Sequence, residues 1–200
     1  MAATEPIRNK NQVRELAQYY LNRGEFRNYA LIVMSVHTAL RISDLLRLNW
    51  NDVYDFELGR VYKRFSVVEQ KTKKPKIVAM NKDAIAALEL FATSSKLNPT
   101  SALFESRKTG RAISRIQAYR IIHTAADALE LGRVSCHSLR KTFGYHAWKN
   151  GASPAVIMAI YAHSSFSITQ RYLGIEQDDK DEVYASLSYQ CAPTAMPTLY

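Results

Sequence analysis

The chain has 200 residues, 47% of them hydrophobic, and a formal net charge of +9 at pH 7. That length suits one domain with a sizeable core, and the basic balance favours a polyanionic partner without deciding the fold. The two cysteines, Cys136 and Cys191, lie far apart without metal-ligand spacing, which argues against a disulfide framework or a zinc site and for a reducing cytoplasm. The N-terminus, MAATEPIRNKNQ, lacks the apolar core of a signal peptide, and the longest apolar run, residues 29–40, is too short to cross a bilayer.

Residues 1–10 read as a flexible N-terminal arm. Residues 11–22 have helical spacing in Val13, Leu16, Ala17, Tyr20 and Leu21, closed by Gly24. Residues 26–47 predict one long or two short helices, apolar on most faces through Leu40. Arg41 follows that buried run. A charge is costly to bury unpaired, so it either pairs with Asp44 and caps the packing, or points into a cleft and binds an anion with Asp44 orienting it. RVYKRFSVVEQ and KPKIVAM alternate and are β-branched, which predicts two antiparallel strands. Lys71, Lys73, Lys74 and Lys76 surround their connection. They form either a solvated tip or a basic hairpin that reaches a DNA groove.

Residues 82–95 predict a helix with Ala84, Ala87, Leu88 and Phe91 inward. Lys108 and Arg111 flank a basic turn at Gly110. Residues 114–131 form a strongly amphipathic helix that Ser114 can cap and Gly132 can end. Arg115, Gln117 and Arg120 lie near its start. They are either a solvated face or groove readers, with Lys108 and Arg111 suited to backbone phosphates. Helix 137–150 ends at Gly151, and Ser153-Pro154 starts the next, which runs to about Ala162. A short helix over 164–173 carries Tyr172, and EQDDKDEVYASLSY makes an acidic-headed helix suited to a helix dipole. Residues 190–200 read as a flexible tail. The whole predicts an α+β fold, mostly helical, with a small antiparallel sheet inserted among the helices.

The chemistry concentrates between Cys136 and Gly174. His137 and Arg140, three apart, share a helical face and can address one anionic group, for which a phosphate is the natural candidate. His163 and Tyr172 follow. A tyrosine there can serve as acceptor or nucleophile.

These residues carry a recognisable pattern. TALRISDLLRLNW resembles the first arginine box of the tyrosine recombinase (phage integrase) family, HSLRKT its His-x-x-Arg box, and AHSSFSITQRYLGI its second-histidine and tyrosine box. The match runs in the right order over roughly residues 10–190. The resemblance implies the catalytic-domain fold of that family and site-specific cleavage and rejoining of double-stranded DNA. Tyr172 would attack the scissile phosphate, giving a 3′-phosphotyrosyl link and a free 5′-hydroxyl. The bond energy stays in that link, so no cofactor, neither ATP nor metal, is expected. Arg41 and Arg140 match the two arginines that grip the non-bridging oxygens. His137 matches the acid–base position, Lys71 the hairpin lysine that protonates the leaving oxygen, and His163 the second histidine.

The chain departs from the pattern at Tyr161-Ala162, where Leu-Gly is common, and at Lys141, where many members have histidine. Because the catalytic pattern begins within the first few dozen residues, no separate N-terminal DNA-clamping domain is expected. The expectation is a single catalytic domain over 11–189, as in fimbrial-type DNA invertases, with residues 176–189 as a C-terminal docking helix. Expected partners are a specific recombination site, further copies of the chain in a tetrameric synapse, and a host DNA-bending protein, with no membrane. Two other readings share the motif: a recombinase-like regulator that binds DNA without cutting it, and a type IB topoisomerase. The complete residue set argues against the first, and the small size and His-x-x-Arg box against the second.

Overall fold

Asn9 sets the start of the chain's first helix, its side chain accepting from the Asn11 amide at 2.8 Å. The computed structural model describes residues 4–175 and 177–187. Helix α1 (Lys10–Leu21) lays Leu16, Ala17 and Tyr20 against α2 (Phe26–His37), which is buried on nearly every face. The predicted 26–47 helix is two helices. The chain breaks at Thr38 and turns through Ala39, whose φ of 54° lies in the left-handed region, before α3 (Ile42–Leu45) begins with Arg41 as its N-cap. A one-turn α4 (Trp50–Val53) is held by a capping box between Asn49 and Asp52.

The sheet is smaller and more divided than the alternation suggested. Residues 60 and 61 do not extend the long strand. They form β2 (Arg60–Val61), paired with β1 (Tyr54–Asp55) in a minimal hairpin. The main hairpin joins β3 (Arg64–Val68) to β4 (Pro75–Ala79), with Phe65 opposite Val78 and Val67 opposite Lys76. Period-two alternation therefore puts Phe65, Val67, Lys76 and Val78 on its inner face.

Helix α5 (Lys82–Thr93), capped by Asn81, packs on α2. Helix α6 (Arg115–Ala128) starts in a Ser114–Gln117 capping box. Helix α7 (Cys136–Lys149) is capped by Ser135, and α8 (Pro154–Tyr161) by Ser153. Helices α9 (Phe166–Leu173) and α10 (Gln177–Ser186) complete the order. One core lies under the hairpins, between α2 and α5, and a second joins α1, α2, α6 and α7. A third, small core gathers Ala39, Ile157, Tyr161 and Leu173. No helix among the described residues is long and apolar enough to cross a membrane.

The expected N-terminal arm is, over its described part, fastened to α7. Ile7 is buried, its amide donates to Thr142 Oγ1 at 2.9 Å, and the Lys141 ammonium donates to the Thr4 carbonyl at 2.6 Å. Burial of one isoleucine and these charged and buried hydrogen bonds offset much of the entropy of ordering a short segment. The expected tail, 190–200, lies outside the described residues.

Ala162 ends α8 in the left-handed region, with φ 52° and ψ 44°, and is exposed. That conformation costs an alanine about 1–2 kcal/mol, whereas glycine adds about 0.5–1 kcal/mol of unfolded-state entropy. Ala162→Gly is therefore expected to raise stability by up to about 1 kcal/mol, read as a rise in Tm of about 2–4 °C. An unchanged or lower Tm would show that the turn bears no such strain.

Candidate active site

The break after α2 does more than turn the chain. It places Arg41 at the end of a buried run, and the guanidinium then has to find partners. Its nearest is not Asp44 but Glu69, beyond the end of β3: Arg41 Nη1 lies 3.1 Å from Glu69 Oε1 and 4.0 Å from Asp44 Oδ2. Asp44 is 1% exposed and spends its other oxygen on the Gln70 amide, at 2.9 Å. It thus holds the hairpin in place as well as facing Arg41. Glu69, equally buried, also accepts from Thr72 Oγ1 at 2.9 Å. Burial pushes the Glu69 carboxyl up, but the Thr72 hydrogen bond, Arg41 and Lys76 outweigh it, and the net shift is down.

Behind this pair lies Arg140, 2% exposed, on the second turn of α7. Its Nη1 donates to the Ala39 carbonyl and its Nη2 to the Tyr161 carbonyl, the latter at 3.2 Å, while its Nε has no hydrogen-bond partner. The sharp turn at Ala39 and the end of α8 thus present two backbone oxygens to one guanidinium. Lys76, from the inner face of the hairpin, completes the charged cluster. Its ammonium is buried without a hydrogen-bond partner, and burial, then Arg140, push it down to about 8.

One turn before Arg140, His137 faces Tyr172 of α9, the ring centroids 5.0 Å apart in an edge-to-face arrangement. His163, on the turn between α8 and α9, lies on Tyr172 at 4.6 Å, and its Nδ1 is 3.0 Å from Thr169 Oγ1. The Tyr172 ring is thus flanked by two imidazoles. Both are neutral at pH 7. Burial, then Lys141, Arg140 and Arg41, lower His137, and burial, then Arg140, Arg41 and Lys71, bring His163 down to about 4. A neutral imidazole can accept a phenolic proton; an imidazolium cannot. Cys136, beside His137, is pushed up to about 11 by burial and stays a thiol.

The folded chain therefore brings Arg41, Asp44, His137, Arg140, His163 and Tyr172 together. Lys71 sits exposed on the hairpin turn, near enough for its charge to depress His163. Lys73 and Lys74 are exposed beyond it. Lys108, Arg111, Arg115, Gln117 and Arg120 are exposed at the basic turn and the start of α6, outside the cluster. Gln117 is partly committed, since its Oε1 accepts from the Ser114 amide at 2.8 Å. Sequence reasoning singled out neither Glu69 nor the inward position of Lys76. The alternation that pairs Lys76 with Val78 on one strand face was a usable signal for the second. Such a site, with two guanidiniums, a buried ammonium and a phenol between neutral histidines, can bind a phosphodiester and attack it.

Known proteins share both sequence and fold. The model of the phage integrase family matches residues 8–178. The chain is 37% identical over 184 residues to the probable integrase/recombinase YoeC of Bacillus subtilis (strain 168), covering 92% of this chain and 97% of that protein. It is 30% identical to tyrosine recombinase XerC of Halalkalibacterium halodurans, covering 80% of this chain but 54% of that one, so it spans about half that relative's length. Among solved structures, XerA recombinase superposes with a TM-score of 0.73 at 23% identity, over 91% of this chain and 65% of that one. A post-cleavage complex of XerH with palindromic difH DNA superposes at 0.71 and 17% identity, over 92% of this chain and 54% of that one.

Proposed function

Because the chain belongs to the phage integrase family, we propose that it cuts and rejoins DNA at a specific site through Tyr172, in the following steps. The observation that supports the reading is the Tyr172 ring flanked by His137 and His163 beside the Arg41 and Arg140 cluster. The phenol oxygen attacks the scissile phosphorus while His137 takes its proton. The bond to the 5′-oxygen breaks, Lys71 gives that oxygen a proton, and the 3′-phosphate is left on Tyr172. Arg41 and Arg140 offset the charge that builds on the non-bridging oxygens. His163 bonds the phosphate or holds the nucleophile. Attack by another strand's 5′-hydroxyl reverses the chemistry and rejoins the DNA, with no cofactor in the cycle.

Lys73, Lys74, Lys108, Arg111, Arg115, Gln117 and Arg120 are the proposed DNA contacts outside the reaction centre, most of them to backbone phosphates. On this reading the chain acts in the cytoplasm, on the DNA of a bacterium, phage or mobile element. Its working form is a tetramer on paired sites, aided by a DNA-bending protein. Helix α10 supports assembly between copies. The Lys149–Asp179 ion pair, at 2.5 Å, fixes its start to α7, while Val183 and Tyr184 remain exposed. A chain ending at Gly174 is expected to cleave a single site yet fail to recombine two. Normal recombination by it would remove α10 from assembly.

Covalent trapping tests the chemistry. The protein is incubated with a nicked duplex carrying the DNA that flanks its own gene, then denatured and run beside Tyr172→Phe. A protein–DNA band in the first lane alone is the expected result. A band in both lanes would move the nucleophile to another tyrosine. Tight binding without any band would favour a regulator that does not cut.

A further inference from the structure

Helix α7 carries a glycine, Gly144, in mid-helix, where glycine is less favourable than alanine. It occupies no turn and has no positive φ. What it does is leave room. A Cβ there would lie 2.5 Å from the Tyr161 hydroxyl oxygen, 2.9 Å from Cε2 and 3.1 Å from Cζ. The first two are distances that real Cβ atoms essentially never show, the third is already tight, and the ring behind them is fully buried.

The ring that enters this notch touches half of the reaction centre. The Tyr161 hydroxyl donates to the Arg140 carbonyl at 2.6 Å, and the Arg140 guanidinium donates back to the Tyr161 carbonyl at 3.2 Å. Each residue thus holds the other's backbone with its side chain. The Arg140 guanidinium carbon lies 4.7 Å from the Tyr161 ring centroid, a cation–π distance. The same ring stacks on His163 at 4.9 Å and 21°, and meets Tyr172 at 5.0 Å. One aromatic side chain therefore contacts an arginine, a histidine and the phenol of the candidate site. Its own hydroxyl is committed to a carbonyl and buried, so it is no rival nucleophile.

We propose that Tyr161 seated in the Gly144 notch is a positioning pair that fixes Arg140, His163 and Tyr172 relative to one another. This rests on the recombinase reading of the site. A ring that only filled the small core would contribute stability and leave the rate per folded molecule alone. A positioning ring changes that rate, because misplacement by about 1 Å costs about 100-fold.

The test is a double-mutant cycle on covalent-complex formation, measured in single turnover with the nicked duplex at saturation, alongside thermal melts. Gly144→Ala is expected to slow the step about 10- to 100-fold while folded, because the new methyl expels the ring. Tyr161→Leu is expected to slow it as well. The Gly144→Ala/Tyr161→Leu protein should be no slower than Tyr161→Leu alone, since the methyl then has nothing to displace. Should Gly144→Ala melt below the assay temperature, the double variant must still fold and cleave at the Tyr161→Leu rate. A wild-type rate in Gly144→Ala, or a double variant slowed by the product of the single effects, would overturn the proposal. A second readout needs no cleavage. Burial first, then the nearby cations, bring the His163 ring down to about 4, and in Gly144→Ala its NMR midpoint should rise by about one unit as packing around it loosens. If the wild type cleaves no DNA, the recombinase reading itself fails; if it cleaves and Gly144→Ala cleaves as fast, that reading stands and the positioning pair is overturned.

Discussion

Replacing Arg140 with lysine is expected to slow covalent-complex formation by about 10²–10³-fold, the usual cost of losing a fixed donor to transition-state charge. The reason is geometric. The guanidinium spans two carbonyls, those of Ala39 and Tyr161, and still has N–H groups to spare. An ammonium has three donors on one atom and cannot bridge both carbonyls while facing a phosphate. The two oxygens come from a sharp turn and a helix end and cannot close the gap. Lysine also loses the cation–π contact of the guanidinium with Tyr161, 4.7 Å from the ring centroid. Single-turnover trapping of Arg140→Lys measures the effect. A rate within threefold of wild type, roughly 0.7 kcal/mol, would mean that Arg140 holds the fold and does not serve the phosphate.

The contrast between Arg140 and Glu69 shows what a sequence carries. The arginine sits one helical turn from His137 and in a motif, so the face it shares with His137 could be read from spacing, while its carbonyl partners at Ala39 and Tyr161 could not. Likewise Ser114, Gly151 and Ser153-Pro154 marked helix ends because capping is local chemistry; α7 falls within one residue of the expected limits, and α6 starts one residue from its expected start but ends three residues short of its expected end. Glu69 has no such neighbour. It meets Arg41 only because the hairpin folds back, and Asp44, three residues from Arg41, was the more obvious partner. The β1–β2 hairpin escaped notice for a different reason: two-residue strands hold too few positions for alternation. Pro6 and Ile7 carry no periodicity either, and only the groove of α7 beneath them shows why the chain lies there.

Glu69→Gln is expected to destabilise the fold by about 3–5 kcal/mol, the cost of removing one partner from a buried pair. Glutamine keeps the volume and can still accept from Thr72, so what is lost is charge. In the wild type, Arg41, Lys76 and Arg140 face Asp44 and Glu69, leaving a single positive excess that one phosphodiester would neutralise. Without Glu69 the excess rises to two, with Asp44 the carboxylate left facing the three cations. The pH dependence should change on both limbs. The Glu69 carboxyl titrates below the usual range when folded, so its contribution is complete above that range and is lost as pH falls through the folded value. The variant lacks this acid limb. Lys76 is held down to about 8 from 10.5, so the unfolded chain binds more protons between those values and stability rises with pH across that window. Glu69 is among the groups that hold Lys76 up, so in the variant the rise should begin lower. Urea unfolding from pH 2 to pH 10 reads both limbs. Parallel curves for wild type and Glu69→Gln would show that Glu69 is not coupled to the cluster, and Arg41 would then owe its position to Asp44 alone.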